Sequence, residues 1–249
     1  MTSTNESVDY ADRWLRDGLR VLRADLSVIQ ISVDMTNALR YLGTLRRSGA
    51  LASPAHLLVY AAARALHANP SIHQLVAGNR RYRPASVDIG LSITGDAIVV
   101  PVMVIEGADQ KSVPDIAAEV ARRAPDVQHA DQQMLGALRK WGRLVPFGFV
   151  RRAILRLLFS SPAFRRKGAG TFQVSMIPVD WGFTSSFATA GVLFGGQVVS
   201  RVVAVDDKPT VRPTMLLTLS GDHGVWNGRA AMKFMAAVKD VLESDWATP

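Results

Sequence analysis

The feature that most restricts the fold is a mixture of two hydrophobic periods along one chain. Alternating apolar residues, typical of half-buried strands, occur in SVIQISVDM and TVRPTMLLTLSGD. Apolar residues at helical spacing occur in DRWLRDGLRVLRADL and SPAHLLVYAAARALHANP. These segments do not alternate regularly, as strands and helices do in a doubly wound sheet. Because no internal repeat or low-complexity linker divides the chain, we predict one mixed α/β domain over residues 1–249.

Capping residues predict several element boundaries. Thr36 is expected to cap one helix and Ser53 the next. Ser112 is expected to open a third helix that ends before Pro125. The stretch NRRYRPASVDIGLSITGDAIVVPVMV predicts two strands joined by a turn at TGDA.

Composition excludes several classes of site. The chain has no cysteine, which rules out disulfides, thiolate metal sites and cysteine nucleophiles. No apolar stretch is long enough to span a bilayer, and the N-terminus lacks the pattern of a secretory signal, so we expect a cytoplasmic protein. No histidine lies at metal-ligand spacing from acids, and we expect no metal site. No glycine-rich phosphate loop of a common pattern is present.

The formal net charge of +8 comes largely from one stretch. Residues 138–168 carry nine Arg or Lys and no Asp or Glu. Within this stretch Val150, Ile154, Leu157 and Leu158 share one helical face, and arginines 151, 152 and 156 lie largely on the other. The stretch is therefore predicted to form a basic amphipathic helix.

Three interpretations of that helix remain open. It can pack on the domain with its arginines in solvent. It can cover an active-site channel, where its cations would attract phosphate groups. It can also lie on an anionic membrane surface through residues 138–167. We expect no nucleic-acid partner, because no known binding module is present.

One histidine stands at a junction that suits chemistry. In LTLSGDHGVWNGRAAMKF, His223 follows an alternating apolar run and precedes a helical one. A side chain at such a junction can reach a cleft, and a neutral imidazole accepts a proton near pH 7. The other four histidines, at positions 56, 67, 73 and 129, lie in apolar or polar stretches that suggest packing or surface roles.

The motif around His223 resembles one in the 2-oxoacid dehydrogenase acyltransferase catalytic domain, a family that shares its fold with chloramphenicol acetyltransferase. The family motif His-x-x-x-Asp-Gly is present here as His223-Gly-Val-Trp-Asn227-Gly228. Other similar pieces follow in the same order: VDMTNAL, VDIGLSITGDAIVVPVMVIEGADQKSVPDIAAEV and GAGTFQVSMIPVDWGFT. The resemblance implies an α/β two-layer sandwich, in which a mixed sheet carries helices on one side.

The resemblance also implies site residues and a mechanism. His223 would be the general base that takes a proton from an acceptor thiol, hydroxyl or amine. Ser175 would donate a hydrogen bond to the oxyanion formed when that acceptor attacks an acyl thioester. Asn227 stands where the family has an acid that pairs with an arginine near the N-terminus. We therefore expect an arginine such as Arg13, Arg16 or Arg20 to lack its counter-charge.

Other departures from the family concern substrate and assembly. Gly224 stands where the dehydrogenase enzymes commonly have arginine, and the family's Asn-Pro-Pro stretch is missing. Residues 125–167 are predicted to be an insertion. The sequence leaves little room for a lipoyl domain before the resemblance begins, so we expect a free-standing enzyme without a covalently bound lipoyl group.

The expected substrates and partners follow from the same resemblance. The donor would be a coenzyme A thioester or an acyl group on a carrier protein. The assembly would be a homotrimer, with His223 and Ser175 supplied by neighbouring copies. Two alternatives remain open: a non-catalytic scaffold or regulator that kept the fold, and a membrane-associated acyltransferase with a lipid acceptor.

Overall fold

The computed structural model of the chain describes residues 9–22, 26–77, 80–93, 99–186 and 188–246. The helices are α1 (Tyr10–Val21), α2 (Thr36–Arg47), α3 (Pro54–Ala68), α4 (Val113–Trp141), α5 (Gly148–Phe159), α6 (Pro162–Ala169) and α7 (Gly228–Glu243). The strands are β1 (Leu26–Asp34), β2 (Leu75–Ala77), β3 (Arg80–Tyr82), β4 (Ile89–Ser92), β5 (Val102–Ile105), β6 (Phe172–Met176), β7 (Gly191–Gly195), β8 (Val199–Val205) and β9 (Lys208–Asp222). Short 3₁₀ turns lie at Ala108–Gln110 and Gly142–Leu144.

Seven strands form a mixed sheet in the order β1-β9-β7-β6-β4-β5, with β8 paired to β9. Strand β6 runs parallel to both β4 and β7, and the other pairs are antiparallel. The 15-residue strand β9 organises the sheet, because its first half pairs with β8 and its second half lies between β1 and β7. Strands β2 and β3 form a separate small hairpin.

The two faces of the sheet differ in chemistry. Side chains at alternate positions point to one side, where Phe172, Leu217 and Leu219 are fully buried in an aliphatic core with α2, α3 and α7. Phe172 lies 5.3 Å from Phe234 of α7, centroid to centroid. The opposite face carries polar residues such as Ser175, and the segment after β6 lies against it. The predicted two-layer α/β architecture with helices on one side of the sheet is confirmed.

Two predicted helix boundaries are wrong. Helix α4 continues for 29 residues through Pro125, because a proline removes one backbone donor but does not end a helix whose neighbouring turns remain bonded. Thr36 does not cap α2. Its N–H and its hydroxyl both donate to the carboxylate of Asp34, which replaces the expected cap. The predicted caps Ser53 and Ser112 are confirmed.

The two strands predicted within residues 79–104 are found as β4 and β5, but the same stretch also holds the short strand β3, which was not predicted. The predicted turn at TGDA lies outside the described residues. Helix α1 packs on α4 and α5. Within the part of the chain that the structure describes, no helix is both long enough and apolar enough to cross a membrane.

Candidate active site

The turn that carries His223 is held by local hydrogen bonds. The backbone N–H of Gly224 donates to Asp222 Oδ1 at 2.8 Å, and that of Val225 donates to the Asp222 carbonyl at 3.0 Å. Asn227 Oδ1 accepts from the Ala230 N–H at 3.0 Å and thereby caps α7. These partners lie two to three residues apart in the sequence. The turn therefore follows directly from the GDHGVWNG sequence.

One long-range anchor joins this turn to the sheet. The indole N–H of Trp226, which is buried, donates to the carbonyl of Ala190 at 3.1 Å. The N–H of Asp222 donates to the same carbonyl at 3.0 Å. A Cβ on Gly221 would lie 2.3 Å from this oxygen, so only glycine permits the approach. The turn is thus fastened to the start of β7.

The imidazole of His223 has a defined orientation. Its Nδ1 lies 3.1 Å from the Trp226 carbonyl oxygen. A carbonyl oxygen only accepts, so Nδ1 must carry the proton in the neutral ring, and Nε2 keeps its lone pair. The side chain is exposed in a single chain. The ring can therefore accept a proton from a molecule bound next to it.

Ser175 lies in β6 on the polar face of the sheet, and the residue is 7% exposed. Among the described residues, none forms a hydrogen bond with the Ser175 hydroxyl. In the sheet register, Ser175 lies opposite Phe194, which lies opposite Thr218. His223 is five residues beyond Thr218, roughly 16 Å along the strand and roughly 10 Å across two strand spacings. One chain therefore does not bring Ser175 and His223 together.

A cavity of about 310 Å³ lies beside Asn227, and its basic lining residues are Arg81, Arg229 and Lys233. Arg81 donates to the Val225 carbonyl at 2.7 Å and so supports the turn from outside. Sequence reasoning missed this arginine, because β3 is distant in the chain and no motif marks it.

Two of the three candidate N-terminal arginines have partners of their own in the structure. Arg20 pairs with Asp17 at 3.6 Å, and the Arg13 guanidinium lies 4.7 Å from the centre of the Tyr10 ring. The arginine placed beside the motif is Arg81. The prediction is therefore wrong for Arg20, whose counter-charge is Asp17.

A second cavity, of about 260 Å³, reaches the start of the turn at Asp222. It is lined by Asp222, Thr189 and the basic residues Arg156 and Arg165. Arg165 donates to the Ala188 carbonyl at 2.7 Å. Burial lowers the pKa of Arg165, and the nearby Asp222 carboxylate opposes that change. The basic stretch predicted from the sequence therefore contributes cations next to the His223 turn.

His73 is the most strongly perturbed of the other histidines. Its Nε2 lies 2.7 Å from the Thr171 hydroxyl in the interior. Burial lowers the pKa of His73 to about 4, although the charges of Asp88 and Asp109 act in the opposite direction. His67 lies 2.8 Å from Asp109, and His56 accepts from the Ser53 N–H at the start of α3.

Among the described residues, no group of three His, Cys, Asp or Glu side chains is arranged to hold a metal ion.

Comparison with protein families gives a match to the 2-oxoacid dehydrogenases acyltransferase (catalytic domain) over residues 26–137 and 188–248. His223 and Asn227 lie within the matched ranges, and Ser175 lies between them. The dihydrolipoyllysine-residue succinyltransferase component of the 2-oxoglutarate dehydrogenase complex of Rickettsia bellii is 28% identical over 75% of this chain and 40% of its own length. The lipoamide acyltransferase component of the branched-chain α-keto acid dehydrogenase complex of Bacillus subtilis is 25% identical over 86% of this chain and 46% of its own length. The chain thus matches less than half of each relative.

Solved structures agree on the fold. A probable dihydrolipoamide acetyltransferase from Listeria monocytogenes superposes with a TM-score of 0.72 and 22% identity, covering 99% of this chain and 98% of its own. The dihydrolipoamide acetyltransferase of Azotobacter vinelandii gives a TM-score of 0.72 and 21% identity over 97% of this chain and 92% of its own. In that enzyme a serine, a histidine and an asparagine four positions after the histidine were investigated for their role in the catalytic mechanism. From the family match over most of its length, we conclude that this chain belongs to the 2-oxoacid dehydrogenase acyltransferase catalytic-domain family.

Proposed function

We propose that this chain transfers an acyl group from a thioester to a thiol acceptor, with His223 as the general base. The observation that carries the proposal is the hydrogen bond between His223 Nδ1 and the Trp226 carbonyl. It directs the free lone pair of Nε2 outward from the turn. A base that is already held in the required tautomer and orientation does not have to rearrange before it accepts a proton.

The proposed reaction has two steps. Nε2 of His223 removes the proton from the acceptor thiol, and the sulfur attacks the thioester carbonyl carbon. The carbonyl π electrons move to oxygen and form a tetrahedral oxyanion. The carbon–sulfur bond of the donor then breaks, and the departing thiolate takes the proton back from the imidazolium. A hydroxyl or amine acceptor follows the same sequence of proton and bond changes.

Ser175 is proposed to donate its hydroxyl hydrogen to the oxyanion. Its hydroxyl has no hydrogen-bond partner among the described residues, so it is available for a ligand. Within a single chain, Ser175 and His223 lie too far apart to act on one substrate. The site is therefore proposed to form between two copies in a homotrimer. The enzymatic study of the Azotobacter vinelandii relative supports the same three residue types, since its histidine and asparagine have the spacing of His223 and Asn227.

The proposed donor is a coenzyme A thioester or an acyl group on a phosphopantetheine carrier. Both donors carry phosphate groups. Arg81, Arg229 and Lys233 line the first cavity beside the turn, and Arg156 and Arg165 line the second. Guanidinium groups bind phosphate through paired hydrogen bonds. The cations of these cavities therefore fit a phosphate-bearing donor.

The direct test measures thiol release from acetyl-coenzyme A and succinyl-coenzyme A with dihydrolipoamide as acceptor. His223→Ala is expected to lower kcat/KM by about 10²–10⁴-fold, because a general base is removed. His129→Ala is the matched control, since His129 is exposed on α4 and distant from the turn. A kcat/KM of the His223→Ala variant equal to that of the His129→Ala control contradicts the assignment. A wild-type protein that releases no thiol favours a non-catalytic relative.

The shared site has its own test. Ser175→Ala is expected to lower kcat by about 10²–10³-fold, as for the loss of one oxyanion donor. Inactive His223→Ala and Ser175→Ala chains are then co-expressed. If each site takes one residue from each neighbour, random mixing restores about a quarter of the sites. Mixed assemblies with no recovered activity would contradict a site between copies.

A further inference from the structure

Helix α5 packs with its polar face inward and its apolar face outward. Arg151 is 7% exposed, whereas Leu157 is 75% and Phe149 is 66% exposed. At about 100° per residue, Phe149 lies about 160° and Leu157 about 120° from Arg151 around the helix, so both fall on its outer side, whereas Ile154 lies at the margin, about 60° from Arg151. The helix does pack on the domain, against α1, but the interpretation that leaves its arginines in solvent is wrong for Arg151.

A buried ion-pair cluster sets this orientation. The carboxylate of Asp17, in α1, is 2.8 Å from Arg151 Nε and 3.0 Å from Arg152 Nη1. Arg151 also donates to the carbonyls of Val145 at 3.0 Å and Pro146 at 2.7 Å. Burial alone would raise the pKa of Asp17, but the two arginines outweigh it and hold that pKa below its usual value. The helix cannot rotate its apolar face inward without breaking these contacts.

The outward apolar surface extends beyond α5. We call it the apolar face, and it comprises Trp141, Leu144, Phe147, Phe149, Ile154, Leu157, Leu158 and Phe164, each at least 37% exposed. Phe147 and Phe149 are in ring contact, with centroids 5.8 Å apart. Scattered exposed apolar residues are normal in proteins, but eight large ones within 24 positions form a patch that marks an interaction surface.

The charged side chains of the stretch that carries the apolar face all have one sign, and the acid nearest to its start is Asp9 of another segment, which pairs with Arg139 at 3.0 Å. Arg143, Arg156 and Lys167 are exposed, and in the described part of the chain no acidic side chain pairs with them. The ammonium of Lys140 lies 4.9 Å from the centre of the Trp141 ring. No Asp or Glu occurs between residues 138 and 168. The face therefore combines apolar side chains with an unbalanced positive rim.

We propose that the apolar face docks on the surface of an anionic lipid bilayer. Such a surface accepts apolar side chains to the depth of the headgroups and attracts Lys and Arg at its boundary. Trp and Lys at the edge of the face match the composition of membrane interfaces. A protein partner fits less well, because the cores of protein interfaces are depleted in Lys and balance their charges. Because the Asp17 cluster already holds α5 in place, the helix does not have to become ordered when the apolar face binds.

The test is co-sedimentation of the full chain with vesicles of equal parts phosphatidylglycerol and phosphatidylcholine. The double variant Phe149→Glu, Leu157→Glu is expected to lower the partition coefficient at least about tenfold, since each buried large apolar side chain contributes that much or more. Leu51→Glu is the matched control, because Leu51 is 80% exposed in a loop away from the face. This control is expected to bind like the wild type.

The charged rim is tested with Arg143→Gln combined with Lys167→Gln. Binding is expected to fall about thirtyfold at low salt, because two cations that an anionic surface attracts are removed. Pure phosphatidylcholine vesicles are expected to bind more weakly than the anionic ones. Circular dichroism and the unfolding midpoint of every variant show whether it has folded.

Two results would overturn the proposal. One is a wild-type chain that does not sediment with anionic vesicles, or binding that is the same in the double Glu variant. The other is a change of molar mass in light scattering for the double Glu variant without vesicle binding by the wild type. That result would assign the face to contact between copies. Thiol release measured without vesicles does not depend on either outcome, so this inference and the proposed function fail separately.

Discussion

The sheet and helix α5 differ in which side chains they bury. In β9, Leu217 and Leu219 are fully buried against the helices. In α5, Leu157 is mostly exposed and Arg151 is buried. Apolar burial contributes about 1.5–3 kcal/mol per large side chain, which normally decides which face turns inward. The contrast teaches that a buried counter-charge can reverse this preference locally.

Asp17 is the residue on which the contrast depends most. Asp17→Asn removes the counter-charge of a buried arginine and keeps the side-chain volume. The free energy of unfolding is expected to fall by about 3–5 kcal/mol, the usual effect of breaking a buried ion pair from one side. Urea unfolding followed by circular dichroism measures the change. Asp126→Asn, on the exposed side of α4, is the control. A loss equal to that of the control would show that the cluster does not hold α5.

Lowering the pH is expected to affect the domain core and helix α5 in different pH ranges, because different groups titrate in each: His73 in the core and Asp17 beside α5. The pKa of His73 is lowered to about 4 by burial, so the unfolded chain takes up a proton first as the pH falls below about 6.5. Stability is therefore expected to fall between about pH 6.5 and pH 4, by on the order of 3 kcal/mol for this group. Urea midpoints across this range measure the fall, and His73→Gln is expected to flatten it. An unchanged slope in that variant would contradict the assignment to His73.

The ion-pair cluster responds only in stronger acid. The pKa of Asp17 is held below its usual value, so its contribution to stability is present above about pH 4 and is lost as the pH falls through the lowered pKa. Hydrogen exchange of the α5 amides is expected to stay slow at pH 5 and to accelerate only as the pH falls through the lowered pKa of Asp17. If hydrogen exchange in α5 instead accelerates between about pH 6.5 and pH 4, together with the loss of stability assigned to His73, the two regions do not respond to acid separately.

The smallest expected effects come from two helix caps, one in each region. Asn227→Ala removes the cap of α7, and Ser161→Ala removes the cap of α6, where Ser161 Oγ accepts from the Phe164 N–H at 3.3 Å. Each is expected to lower the free energy of unfolding by about 1 kcal/mol. Only Asn227→Ala is also expected to slow thiol release, because only that cap supports the His223 turn. Equal activity in both variants would show that the cap acts on stability alone.

The local part of the candidate site could be predicted from the sequence. The His223 turn and its cap form through contacts two to four residues long, and such contacts leave a signature in the motif itself. The strands and the two faces of the sheet could also be predicted, because alternating apolar residues show which side chains share a face. The errors at Thr36 and Pro125 arose where a neighbouring carboxylate or an intact helix outweighed the usual preference of one residue.

The sequence by itself determined most of the longer elements, which of their residues share a face, and the short-range geometry of the histidine turn. Only the tertiary structure decided which face of α5 points inward, because Asp17 lies 134 positions before Arg151. It also decided that Ser175 and His223 stay apart within one chain and that Arg81 supports the turn. The physical reason is that local hydrogen bonds are specified by residues a few positions apart. Buried charges instead find partners only after distant elements have packed.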